Sequence, residues 1–170
     1  MNKKFELLLD DTITIFGIKL FRIKALISFG NVEEGELGGY IEKEDNLSVY
    51  GNAWVYGNAW VYGDAWISGN ARVYGNARVS GNAEVYGDAM VSGDAEFYGN
   101  ADYIVFKNHW SSGRYFTYTK SNKMWRVGCF YGTGQELINK AYQDSEVSGK
   151  HYEAYVEFVE KLEKLEETND

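Results

Sequence analysis

The chain has 170 residues, a formal net charge of −8, one cysteine and no proline, which fits one compact unit with small attachments rather than several domains. A single cysteine excludes an intrachain disulfide and a cysteine metal cluster. No stretch approaches the roughly eighteen apolar residues of a membrane span, and the acidic balance disfavours direct binding to the phosphates of nucleic acid.

The charge is spread unevenly, −3 over residues 1–48, −4 over 49–102 and −1 over 103–170. The same three segments divide the chain by pattern. The N-terminus carries Asn-Lys-Lys but has neither a sustained apolar core nor a small-residue cleavage site, so a cytoplasmic location is expected. Thr12–Ile15 and Lys19–Ile23 flank Phe16-Gly17-Ile18 and read as a hairpin. Residues 30–40 lead toward a first incomplete coil. Segment 1–48 is therefore expected to supply strands and a cap, since an open solenoid end exposes a sheet edge.

Residues 49–102 repeat one hexad nine times, from Val49-Tyr50-Gly51-Asn52-Ala53-Trp54 to Phe97-Tyr98-Gly99-Asn100-Ala101-Asp102. A fixed short period marks a solenoid. Ala and the aliphatic residue alternate about a variable position, so both point inward and the variable side chain points outward. Tyr/Ser-Gly-Asn/Asp is corner chemistry, because Gly and Asn tolerate positive φ. Three such faces give a triangular coil of about eighteen residues, and the segment makes about three coils of mainly parallel β-helix, roughly 14 Å tall. The Ala phase extends back to Leu47 and Ile41, which predicts a partial coil ahead of the full ones.

Stacking at eighteen residues gives three outward columns: Trp54–Arg72–Met90, Trp60–Arg78–Glu96 and Trp66–Glu84–Asp102. Each face then carries one Trp in the first coil, an aromatic ring covered either by the chain's own N-terminal segment or by a partner. Trp is a common interface anchor. The candidate partner-binding residues are thus Trp54, Trp60, Trp66, Glu84, Glu96 and Asp102. Arg72 and Arg78 are the basic residues of the repeat and the candidate anion contacts.

In segment 103–170, Tyr103–Phe106, Tyr115–Thr119 and Met124–Phe130 read as strands, with Cys129 buried in the last. Thr133 is a candidate N-cap for a short helix. A longer helix is expected over 150–167, with Tyr152, Tyr155, Val159 and Leu162 as its apolar stripe.

The aliphatics Val49, Val55, Val61, Ile67, Val73, Val79, Val85 and Val91, each followed four residues later by Ala, resemble the hexapeptide-repeat, LpxA-like superfamily of left-handed β-helices. Right-handed bactofilin-type helices also use hexads, so the period leaves handedness open. The runs Leu20–Leu26, Phe29–Ser48 and Arg126–Leu137, together with the C-terminal helix, resemble a phage and prophage type of hexapeptide-repeat protein described as YdcK-like. That resemblance implies a homo-oligomer, a trimer first, inside a bacterial host cell. It also carries a transferase description that rests on fold, and fold does not imply function.

Hexapeptide acyltransferases use a His base. Here the repeat contains no His, and His109, in a polar loop beside Ser111 and Ser112, is the one candidate catalytic residue for acyl-CoA-dependent transfer. Two His residues outside the coils do not make a three-His zinc site, and no phosphate-loop pattern opens a helix. The expectation is a non-catalytic binding protein without metal or cofactor. Its rigid aromatic and acidic surface would bind and inhibit a host protein, possible targets including a nucleic-acid-binding defence component in an anti-CRISPR-like role. An acyltransferase, a self-assembling scaffold and a ligand-sequestering scaffold are the alternatives.

Overall fold

The computed structural model describes residues 4–169. An antiparallel hairpin opens the chain, β1 (Phe5–Ile15) and β2 (Ile18–Ala25). Its two turn residues, Phe16 and Gly17, sit at φ 49° and 80°, the mirror-image turn whose twist matches that of paired strands. β3 (Leu37–Ile41) and a short 3-10 turn, Glu44–Asn46, lead into the repeat.

Two-residue strands then recur every six residues: β4 (Trp54–Val55), β5 (Trp60–Val61), β6 (Trp66–Ile67), β7 (Arg72–Val73), β8 (Arg78–Val79), β9 (Glu84–Val85), β10 (Met90–Val91) and β11 (Glu96–Phe97). They stack in parallel into three faces: β4–β7–β10, β5–β8–β11 and β6–β9. Partners lie eighteen residues apart, as in Trp54 with Arg72 and Trp60 with Arg78. Ala53 through Ala95 and Val55 through Phe97 fill the interior at 0–1% exposure. Each enclosed valine contributes roughly 1.5–3 kcal/mol relative to exposure. The corner glycines are required by shape. Gly69 sits at φ 65°, and a Cβ there would lie 2.9 Å from the backbone nitrogen of Gly87 in the next coil.

The partial coil is present but slipped by two residues relative to the expected phase. Ile41 pairs with Val61 and Leu47 with Ile67, twenty residues apart instead of eighteen. Both therefore fall in the aliphatic column rather than the alanine column. The two extra residues are absorbed around Val49 and Tyr50, which are 39% and 81% exposed. Val49 opens the written repeat but is not part of its interior.

Through β3, the hairpin joins the second face to give a continuous sheet, β1–β2–β3–β5–β8–β11. The lower end is closed by polar side chains on backbone carbonyls. Lys4 Nζ donates to Ser48 O at 3.0 Å and Ala53 O at 2.8 Å, and buried Asn46 donates to Gly63 O and Ala65 O.

The upper end is closed the opposite way. In lower coils the outward residue donates its N–H to an Ala carbonyl of the next coil, as Trp66 does to Ala83. Glu84, Met90 and Glu96 have no next coil, and their N–H groups go to Asn100 Oδ1, Thr117 Oγ1 and Ser121 Oγ at 2.7, 3.1 and 2.8 Å. The sheet edges that would template further pairing are thus occupied by side chains.

The remaining chain forms an antiparallel meander, β12 (Tyr103–Lys107), β13 (Tyr115–Thr119), β14 (Met124–Val127) and β15 (Phe130–Gly132). It is backed by α1 (Gly134–Asp144) and α2 (Glu146–Glu167). Thr133 caps α1, its side chain accepting from Glu136 N. Ser145 caps α2, so this helix begins at Glu146 instead of residue 150. Tyr152, Val156 and Val159 bury its inner face. Cys129 is exposed, not buried: Gly128, at φ 55°, breaks the expected strand and turns the chain between β14 and β15. No helix among the described residues is long and apolar enough to cross a membrane.

Candidate functional site

The three outward columns share one backbone and have three different fates. On the first face, Trp54 is only 2% exposed. Phe29, from the loop before β3, packs edge-on against its indole with ring centres 5.4 Å apart. Trp54 is therefore covered by the chain's own N-terminal segment, one of the two expected fates of the Trp ring, but that cover does not extend to Trp66. On the third face, Trp66 stands open at 43% exposure beside exposed Glu84. That column ends there. Asp102 has left the stack for a 3-10 turn, where its carboxylate accepts from Gly99 N at 2.8 Å and also from Tyr98 N. It is a capping residue rather than a surface carboxylate.

The second face carries the most organised surface. Pairing aligns Arg22, Tyr40, Trp60, Arg78 and Glu96 side by side across β2, β3, β5, β8 and β11. At strand spacing of about 4.8 Å, the row is roughly 19 Å long. Each member is held by its neighbours. The Arg22 guanidinium lies 4.5 Å from the Tyr40 ring centre, and Arg22 Nε pairs with Asp11 at 2.9 Å. Arg22 also donates to Gly38 O and to the Tyr40 hydroxyl, which in turn donates to Asp11. The Arg78 guanidinium covers the Trp60 ring at 4.4 Å and pairs with Glu96 at 3.8 Å. Tyr98 donates to Glu96 at 2.9 Å, and that contact holds the tyrosine pKa above its ordinary value.

A groove of about 470 Å³ runs along this row between Ile13 of β1 and the corner residues Asn58, Asn76 and Asp94. Asn76 and Asp94 are linked at 3.4 Å. Both cations of the row are already paired, so it presents aromatic planes and hydrogen-bonding edges rather than net charge. Trp60, Arg78 and Glu96 were expected in one column. Arg22 and Tyr40 were not, because the twenty-residue offset and the antiparallel hairpin hide them from an eighteen-residue count.

Sequence comparison agrees with this geometry over the repeat. Residues 49–63, 65–81 and 71–85 match the YdcK Beta solenoid repeat. The chain is a β-solenoid repeat protein. No curated protein matches it.

His109 lies outside the solenoid, exposed, in the loop between β12 and β13. Its ring meets Trp110 edge-on at 5.4 Å and His151 at 5.8 Å. His151 stacks on Trp110 at 4.4 Å and its Nδ1 lies 2.7 Å from Val147 O. The two imidazoles thus sit among aromatic rings. Ser112, the nearby hydroxyl, accepts from Arg114 N rather than meeting His109. Among the described residues no group of three His, Cys, Asp or Glu side chains is placed to hold a metal ion.

Arg72 and Arg78, paired in expectation as anion contacts, lie on different faces. Arg78 is committed to Trp60 and Glu96, whereas Arg72 lines two cavities of the first face with Asn52.

Proposed function

We propose that the chain is a non-catalytic binding protein whose second face receives a protein partner. The observation that carries this reading is the Arg22–Tyr40–Trp60–Arg78–Glu96 row, locked by cation–π contacts and ion pairs on one continuous sheet. Trp, Tyr and Arg dominate interface energetics, and side chains already fixed in place lose little entropy when a partner binds. The finer form of the proposal is a phage-type protein that inhibits a host defence component. It is supported by the resemblance of the chain ends and by the acidic repeat. Of the three repeat carboxylates first singled out, Glu96 is paired with Arg78 and Asp102 caps a turn. The aromatic row therefore takes the principal contact role, and Glu84 and Trp66 on the neighbouring face a secondary one.

The test is a tagged pull-down from bacterial lysate with wild type, Trp60→Ala/Arg78→Ala and Trp66→Ala. One stoichiometric protein is expected with wild type and Trp66→Ala and is expected to be lost with the second-face variant. Retention of that protein by the second-face variant overturns the reading. So does acetyl-CoA turnover that disappears in His109→Ala.

A further inference from the structure

We propose that the first face contains a binding site for a small organic anion, a phosphate ester or a carboxylate, gathered by Arg72 and Arg114. This site is independent of the protein-binding row and lies on a different face of the prism.

The distribution of arginine pairing points to it. Arg22 and Arg78, on the second face, each hold a carboxylate. Among the described residues, Arg72, Arg114 and Arg126 hold none, in a chain whose net charge is −8. These three gather around one region. Arg72 and Arg114 line a cleft of about 430 Å³ together with Asn52, Asn70, Met90 and Tyr115. Arg126 lies over the Tyr74 ring at 5.3 Å, and Tyr74 stacks on Tyr56 at 4.7 Å. The Tyr56 hydroxyl is in turn beside Arg72.

A second cavity of about 170 Å³ adjoins the first and shares Asn52 and Arg72 with it. Trp54 forms part of its wall. The indole is 2% exposed, and its Nε1–H has no acceptor. A buried donor without a partner is costly, and in a native structure it points to a missing acceptor. An anion seated on Arg72 supplies acceptor atoms in this region. Guanidinium groups suit the role because their planar forks match carboxylate and phosphate oxygens.

The acidic residues lining the cavities are engaged locally. Glu36 accepts from Glu33 N and Asp88 from Asn70 Nδ2. The two cavities together reach the size of ordinary small-ligand pockets, about 300–1,000 Å³, and exposed Tyr115 offers a ring plane at the rim.

The test is a titration of ¹⁵N-labelled full-length chain with sodium phosphate at constant ionic strength, following the Trp54 indole N–H resonance. A saturable shift is expected in wild type and in Arg78→Gln. A weakening of at least tenfold is expected in Arg72→Gln and, separately, in Arg114→Gln, with the remaining amide spectrum showing that each variant is folded. Adenosine monophosphate and succinate form the second arm. Tighter binding of the first assigns a phosphate ester, and tighter binding of the second a carboxylate. No saturable shift with any of the three probes overturns the proposal, as does a shift that both arginine variants retain.

Discussion

The protein has two cores built on opposite principles. The solenoid interior repeats small residues, Ala53 through Ala95 and an aliphatic column, so each coil adds the same increment. The C-terminal core instead concentrates large rings, with Phe106, Trp110, Phe116, Trp125, Tyr152 and Tyr155 in contact at centroid distances of 4.9–6.3 Å. A stacked repeat distributes its stability over nearest-neighbour steps, whereas an aromatic cluster depends on a few residues near its centre. Phe116 is that centre. It is 1% exposed and touches five of the other rings. Phe116→Ala is expected to cost about 3–5 kcal/mol. Hydrogen exchange should show α1 and α2 losing protection while the lower hexads keep theirs. Uniform loss across both cores would mean that they unfold as one unit.

The same contrast explains what the sequence made legible. The hexad fixes each strand by a local rule, so the eighteen-residue register of Trp54, Arg72 and Met90 could be written down in advance. The rule failed where the count changed. Two extra residues around Val49 moved Leu47 and Ile41 into another column, and a side chain-capped turn removed Asp102 from the stack. No periodicity announces contacts between distant segments. Phe29 covering Trp54 and Arg22 joining Trp60's row both depend on how the N-terminal segment folds back. The aromatic core was legible only as a list of strands and a helical stripe, because ring packing among Phe106, Phe116 and Tyr155 is set in three dimensions.

The junction beneath the solenoid can be probed by pH. Lys4 is 3% exposed, and burial lowers its pKa to about 8 from 10.5. Between those values the unfolded chain binds more protons than the folded one, so this residue makes stability rise with pH across the window. Below about pH 8 both states are protonated and the contribution is flat. The gain is at most about 3 kcal/mol at about 1.4 kcal/mol per unit. Buried tyrosines pull the other way at higher pH, since burial raises Tyr118 and Tyr152. The difference between wild type and Lys4→Met in urea midpoints at pH 7.5 and 9.5 isolates the lysine. That difference should grow with pH. A constant difference would show that Lys4 titrates as in water.

Within the solenoid, two glycines at one hexad position separate backbone conformation from coil stacking. Gly69 and Gly87 have nearly the same φ, 65° and 64°. A Cβ on Gly69 meets the next coil at 2.9 Å, whereas one on Gly87 meets nothing within 4 Å. Gly87→Ala should cost only the left-handed backbone penalty, about 1–2 kcal/mol. Gly69→Ala should cost more than Gly87→Ala, because the coils must also separate. Equal losses in thermal unfolding would show that the stack yields freely at its corners.

The smallest expected effect tests the boundary where the two cores meet. Thr117 is 1% exposed, belongs to the C-terminal meander, and accepts from Met90 N at the last rung of the first face. Thr117→Val keeps shape and volume but removes that acceptor, leaving one N–H of the top coil unpaired. A loss of about 1–2 kcal/mol is expected, with faster exchange of the Met90 amide than of the Arg72 amide one coil below, which still donates to Ala89 O. Ser121→Ala is the matched control: Glu96 N lies at an exposed edge, where water can replace the lost oxygen, so its cost should be smaller. If both substitutions were silent in exchange and stability, the side-chain oxygens would be incidental to closure, and packing of the meander alone would end the stack.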